Sequence, residues 1–148
     1  MAGTQTELHG RRAGLDNDSN RLALLGRPFS VTMTVATDGS NKTKVTCQLV
    51  DVEGTSVSKV MNFDLWLSDA TTGSGLTATT ASGAVAAGAS GADIATLTSK
   101  KALRVQTNAS GVYILSITDT AKTAFKVCAQ MPDGEVVVGA TLATASYG

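Results

Sequence analysis

From Phe29 onward, hydrophobic and polar residues alternate with a period of two. In "FSVTMTVA", Phe29, Val31, Met33 and Val35 alternate with Ser30, Thr32 and Thr34, the pattern of a strand with one buried face. After an Asp38-Gly39 turn signal, "KVTCQLV" puts Val45, Cys47 and Leu49 on one face. "KVMNFDLWLS" puts Met61, Phe63, Leu65 and Leu67 on one face and Asn62, Asp64 and Trp66 on the other. Further along, "ALRVQT" carries Leu103 and Val105. "GVYILSIT" sets Val112 and Ile114 against Tyr113, Leu115 and Ile117. "AFKVCAQ" carries Phe125, Val127 and Ala129, and "MPDGEVVVGATL" opens on a Pro-Asp-Gly turn and runs through Val136, Val138 and Leu142. Strands spaced by turn signals at about 8–12 residues predict a sandwich or barrel.

Residues 77–93, "TATTASGAVAAGASGAD", interrupt the series with almost nothing but Ala, Gly, Ser and Thr. A linker, a disordered tail and irregular loops within one all-β domain compete for this stretch. About three strands precede it, too few to stand without a good hydrophobic face. It therefore reads as a loop-rich crossover inside one domain, with a short strand near Leu76–Thr80 and another near Ile94–Thr98. Residues 1–28 are polar and poorly periodic, with one apolar knot in "RLALLG" closed by Gly26 and Pro28. They read as an extended arm with a small anchoring element, or as a frayed terminus. The expected division is an arm over 1–28 and a β-sandwich over 29–148.

Composition narrows the class. The chain has 148 residues, 43% hydrophobic and 16% charged, too apolar and too weakly charged for a disordered chain. Aromatics are only 4%, so the core falls to aliphatic residues, with Thr at its edges. Formal net charge is zero, which argues against nucleic acid or a membrane surface as partner. No apolar run approaches the roughly 20 residues that span a bilayer, and the first residues lack a signal-peptide pattern. Synthesis in a cytosol is expected, with Cys47 and Cys128 as free thiols.

Candidate chemistry is thin. The one histidine, His9, lies in the arm, a poor place for a catalytic base, and one His with two distant Cys makes a poor zinc site. No catalytic, metal or cofactor site is expected. Asp51, Glu53, Asp64, Asp69, Asp119, Asp133 and Glu135 lie near turns. Paired acids can hydrolyse a glycosidic bond, but solvated turn residues are the plainer reading. Asp64 falls on the wet face of its strand. Trp66 shares that phase: it is either an exposed contact or sugar-stacking residue, or packed because both faces of its strand are covered. The order Cys47, Trp66, Cys128 resembles the Cys-Trp-Cys pattern of immunoglobulin domains, but the two cysteines fall on opposite phases and no disulfide is predicted. Lys100, Lys101 and Arg104 form a small basic patch, suited to an acidic partner or simply solvated.

Two stretches carry a family likeness. "VTCQLVDVEGTSVSKVMNFDLWLSDATTGSGLTATTASGAVAAG" resembles the opening of small Ig-like proteins encoded in tailed-phage genomes, often near the major capsid gene. "ALRVQTNASGVYILSITDTAKTAFKVCAQMPDGEVV" resembles their second half. Together they cover residues 45 to about 140. The chain is similar, more loosely, to bacterial invasin-like Ig repeats. The resemblance implies an Ig-like β-sandwich without catalytic residues, from which the extended N-terminal arm and the long Ala/Gly crossover depart. It implies a virion protein that decorates or cements the head by binding the major capsid protein.

On that implication, residues 1–28 are the candidate capsid-binding arm, with Arg11, Arg12, Leu22, Leu24, Leu25 and Phe29 as its contacts. The small residues Ala84, Val85, Ala86 and Ala87 would allow copies to approach closely, in a homotrimer at a local three-fold axis. The alternative is an Ig-like tail or fibre module that binds a host receptor or glycan, for which Trp66 or Tyr113 is expected to be exposed.

Overall fold

The computed structural model describes residues 23–148, and they form two packed antiparallel sheets. The strands are β1 (Ser30–Thr37), β2 (Lys42–Val50), β3 (Asn62–Ser68), β4 (Val85–Ala87), β5 (Ala92–Thr98), β6 (Ala102–Gln106), β7 (Val112–Thr118), β8 (Lys126–Gln130) and β9 (Val136–Thr141). A short 3-10 turn, Thr144–Tyr147, follows. One sheet has the order β1-β2-β7-β4 and the other β5-β6-β3-β8-β9. The fold is the all-β sandwich that the alternation predicts.

Four strands lie in one sheet and five in the other, and chain order does not follow spatial order. After β3 it crosses to the far edge of the four-stranded sheet as β4, then returns for β5 and β6. The Ala/Gly/Ser/Thr stretch is that excursion. Its glycines lie along β7: an added Cβ at Gly83 would stand 2.7 Å from Thr118 Cβ, one at Gly88 3.0 Å from Ile114 Cγ2, and one at Gly91 2.6 Å from Tyr113 Cδ2. The close approach that small residues permit is thus made within the chain.

The expected strand at Leu76–Thr80 does not form; the short strand falls at Val85–Ala87 instead. Side-chain bonds and a crossing backbone bond claim the first segment. Asp69 accepts from the Thr77 hydroxyl at 2.5 Å and from the Ala78 amide at 2.7 Å, while the Thr77 amide donates to the Leu67 carbonyl. The expected strand near Ile94–Thr98 is present as β5.

The core phase follows the alternation in the inner strands. Val45, Cys47 and Leu49 of β2 are buried, as are Phe63, Leu65 and Leu67 of β3. On β7 the core phase is Tyr113, Leu115 and Ile117. The expectation of an exposed Tyr113 is therefore corrected: the residue is 0% exposed. Its ring meets Phe63 edge-on at 6.3 Å, and its hydroxyl donates to Asp93 Oδ1 at 2.6 Å. On β9, Val136 and Val138 face outward, and Val137 packs against the core.

Two carboxylates fasten the ends of strands. Asp51 accepts from the amides of Glu53 and Thr55 at 2.9 Å and from Gly26 at 3.1 Å. The Gly26 bond leads in holding its pKa below the ordinary value. Asp119 is 1% exposed and accepts from the amides of Thr123 at 2.8 Å and Ser82 at 3.1 Å. Burial pushes the Asp119 carboxyl up, but its hydrogen bonds from Thr123, Ser82 and Ala121 outweigh this and bring it to about 2.

Two outcomes follow for stability. The ordinary carboxyl value is 3.8 and that of folded Asp119 about 2, so the unfolded chain binds this proton more tightly. Asp119 then contributes on the order of 2 kcal/mol above about pH 4, lost as pH falls towards 2. Urea titrations across that window should show the loss, and Asp119→Asn should flatten it. Gly91→Ala should lower stability by about 2–3 kcal/mol in the same assay, because Gly91 has φ +82° and no room for a methyl group.

Candidate functional site: the outer face of the five-stranded sheet

Strand register arranges the outer face of the β5-β6-β3-β8-β9 sheet in cross-strand rows. Asn62 lies opposite Gln106. Asp64 lies between Arg104 and Gln130. Trp66 lies between Ala102 and Cys128, and Cys128 in turn opposite Val138. Along β3 the face therefore passes from polar to apolar.

The polar rows are partly tied. Arg104 donates from Nε to Asp64 Oδ1 at 2.8 Å and from Nη2 to Oδ2 at 3.0 Å, a two-bond fork that fixes both side chains in plane. Gln106 Nε2 donates to Asn62 Oδ1 at 2.9 Å. The Arg104 guanidinium is held above its ordinary pKa, first by the hydrogen bond to Asp64 and then by its charge.

The apolar end is built around Trp66. The sequence left two options for it, exposed or covered, and the structure places it between them, half-buried. Its indole Nε1 donates to the Gly73 carbonyl at 2.9 Å, so the loop after β3 fixes the ring. The same loop lies over Cys128: an added Cβ at Gly73 would meet Cys128 Sγ at 2.7 Å and Val138 Cγ2 at 3.0 Å. Beside Trp66 stand Leu76 and Leu97, 46% and 48% exposed.

Two grooves open on this face. One, of about 400 Å³, is lined by Asn62, Asp64, Arg104, Gln130 and Pro132 among others. The other, of about 310 Å³, is lined by Asp64, Trp66, Leu76, Leu97, Ala102 and Gln130 among others. They share Asp64 and Gln130, so they form one trough along β3, polar at one end and apolar at the other.

The remaining candidates are dispersed. Arg11, Arg12 and Leu22 lie outside the described residues. Leu24 and Phe29 are 40% and 38% exposed, and Leu25 is half-buried. They sit where the chain joins the sandwich, fastened by the Gly26–Asp51 bond and by the Phe29 amide on the Val50 carbonyl. Val85, Ala86 and Ala87 are half-buried and pair with β7, and Ala84 is exposed. The basic patch does not form as one surface. Arg104 faces Asp64, Lys100 Nζ donates to the carbonyls of Ala81 and Ser82, and Lys101 Nζ donates to that of Ala78. The lysines thus tie down the crossover.

Both cysteines are free and buried. Cys47 faces the core, and burial pushes its thiol up to about 12. Cys128 faces the covered outer side of β8, which keeps the two on opposite phases. Among the described residues no cluster of His, Cys, Asp or Glu could hold a metal ion, and no helix is long and apolar enough to cross a membrane. Sequence reasoning missed the trough as a unit. Asp64 and Trp66 carried a signal, a shared polar phase on β3, but Arg104 and Gln130 join them only through strand register.

The Asp64–Arg104 pair is largely exposed, and such pairs add little to stability. Arg104→Ala should leave the thermal midpoint essentially unchanged. Trp66→Ala should cost about 2 kcal/mol in urea denaturation, because it removes a half-buried ring and its hydrogen bond.

No family model, no curated protein and no solved structure matches this chain; its geometry and its motifs carry the functional reading.

Proposed function

We propose that this chain is a structural virion protein that decorates or cements the capsid surface of a tailed phage, binding the lattice of the major capsid protein. The observation that carries the reading is the root of the arm. The bond from Gly26 to the Asp51 carboxylate pins the chain there, while Leu24 and Phe29 stay exposed beside it. Apolar side chains held in the open on a fastened root suit docking on a large partner. The likeness of residues 45 to about 140 to phage-encoded Ig-like proteins supplies the partner. The protein is made in the host cytoplasm, acts on the virion surface and performs no reaction. Repeated modest contacts on a symmetric shell gain strength when the copies are linked. We place that link at Ala84–Ala87, in a trimer.

A second reading, an Ig-like tail or fibre module that binds a host receptor or glycan, is favoured by the trough beside Trp66.

Co-sedimentation with empty heads of the phage that encodes the chain separates the two. Decoration gives saturable binding at a fixed ratio to the capsid protein. A Leu24→Asp, Phe29→Asp double variant should bind at least about tenfold more weakly, the loss of about 1.4 kcal/mol of apolar contact. Absence of binding to heads would reject decoration and leave the tail reading.

A further inference from the structure

We propose that the trough along β3 is a binding site for a short, neutral oligosaccharide. The inference deepens the second reading above by naming the ligand class and its contacts, and it holds whether the chain sits on a head or a tail.

Charge is the first argument. Asp64 and Arg104 neutralise each other through two hydrogen bonds, and the other side chains that face the trough, Asn62, Gln130, Trp66, Leu76 and Leu97, are uncharged. A charged ligand would find no net opposite charge there.

Hydrogen-bonding capacity is the second. Arg104 keeps Nη1 and one Nη2 proton free of the fork, and the Asp64 oxygens keep unused lone pairs. Asn62 keeps its NH₂ group after accepting from Gln106, and the Gln130 amide has no hydrogen-bond partner among the described residues. Donors and acceptors thus alternate in planar groups at fixed positions. Vicinal hydroxyls, each donor and acceptor at once, match such groups. Beyond them, Trp66 with Leu76 and Leu97 offers an apolar wall for the C–H face of a sugar ring, and the bond from Nε1 to Gly73 already sets the indole plane.

Position is the third argument, and it excludes a peptide that binds by adding a strand. A peptide that adds to a sheet needs a free strand edge. The floor of the trough is β3, which is paired on both sides, with β6 and β8. Only side chains are offered there. All of them but Leu76 stand on strands, which hold a site more firmly than loops. From Asn62 to Trp66 the floor runs about 13 Å at about 3.3 Å per residue, enough for more than one sugar ring.

Trp66 is the one tryptophan of the chain, so its fluorescence reports from inside the trough. The full chain is screened on an array of bacterial surface and plant glycans. Cello-, malto- and chito-oligosaccharides are then titrated directly, with sialyllactose and a heparin disaccharide as charged comparisons. The inference expects a saturable change in Trp66 emission with at least one neutral oligosaccharide, and none with the charged pair. Arg104→Ala and Gln130→Ala should each weaken binding about tenfold and leave the emission of the free protein unchanged. No saturable change with any neutral glycan would overturn the inference, as would equal affinity in both variants. Adsorption of the chain to host cells, measured alongside, separates the two failures: cells bound without any glycan response would sink the saccharide and keep a receptor.

Discussion

The hydroxyl of Tyr113 sets how the two sheets meet. It lies in the core of a sandwich poor in aromatics, where burial holds the phenol protonated and an unpaired hydroxyl is costly. Asp93 is its partner. That carboxylate accepts from Tyr113 through Oδ1 and from the Ala87 amide through Oδ2. One side chain of β5, in the five-stranded sheet, therefore binds both β7 and β4 of the other sheet. For Asp93 to arrive there, the chain must turn immediately above the Tyr113 ring, and Gly91 makes the turn. The Ala/Gly-rich crossover is a consequence: a larger side chain at Gly83, Gly88 or Gly91 would lift the path off β7 and take Asp93 away from the hydroxyl.

The crossover and β4 close one flank of the sandwich. Among the described residues, the outer face of the five-stranded sheet carries no covering layer beyond the short loop over Trp66 and Cys128. A polar row and an apolar row remain side by side on β3. The fork between Asp64 and Arg104 adds little to stability where it stands, and it holds both side chains at fixed positions on that face.

Most of the architecture is legible in the sequence, because period-two alternation encodes a half-buried strand directly. Phe63, Leu65 and Leu67, or Val45, Cys47 and Leu49, can be assigned to the core without coordinates. Tyr113 could have been assigned as well: it shares a phase with Leu115 and Ile117, and only the receptor-binding alternative asked for its exposure. Two other features were not local. The strand at Val85–Ala87 has no hydrophobic pattern and exists because β7 offers an edge there. The trough depends on which strand lies beside β3, and that order follows from a crossover whose route the alternation does not encode. Arg104 read as part of a basic patch with Lys100 and Lys101 because neighbours in sequence were taken for neighbours in space.

The sheet edges decide how such a protein can meet its partners. An open edge invites strand addition and aggregation, and this sandwich blunts its edges in pairs. On one flank Asp93 caps the Ala87 amide of β4, and β5 carries bulges at Ile94 and Leu97, where its register against β6 shifts; bulges twist an edge away from further pairing. On the other flank β1 lies against β9, where Gly139 lets Met33 come close and the register against β8 shifts again. With both flanks closed, association by strand pairing is disfavoured. Any contact between copies near Ala84 would then be packing of small side chains and not strand addition, and under the proposed function a protein displayed in many copies would gain from edges that do not join.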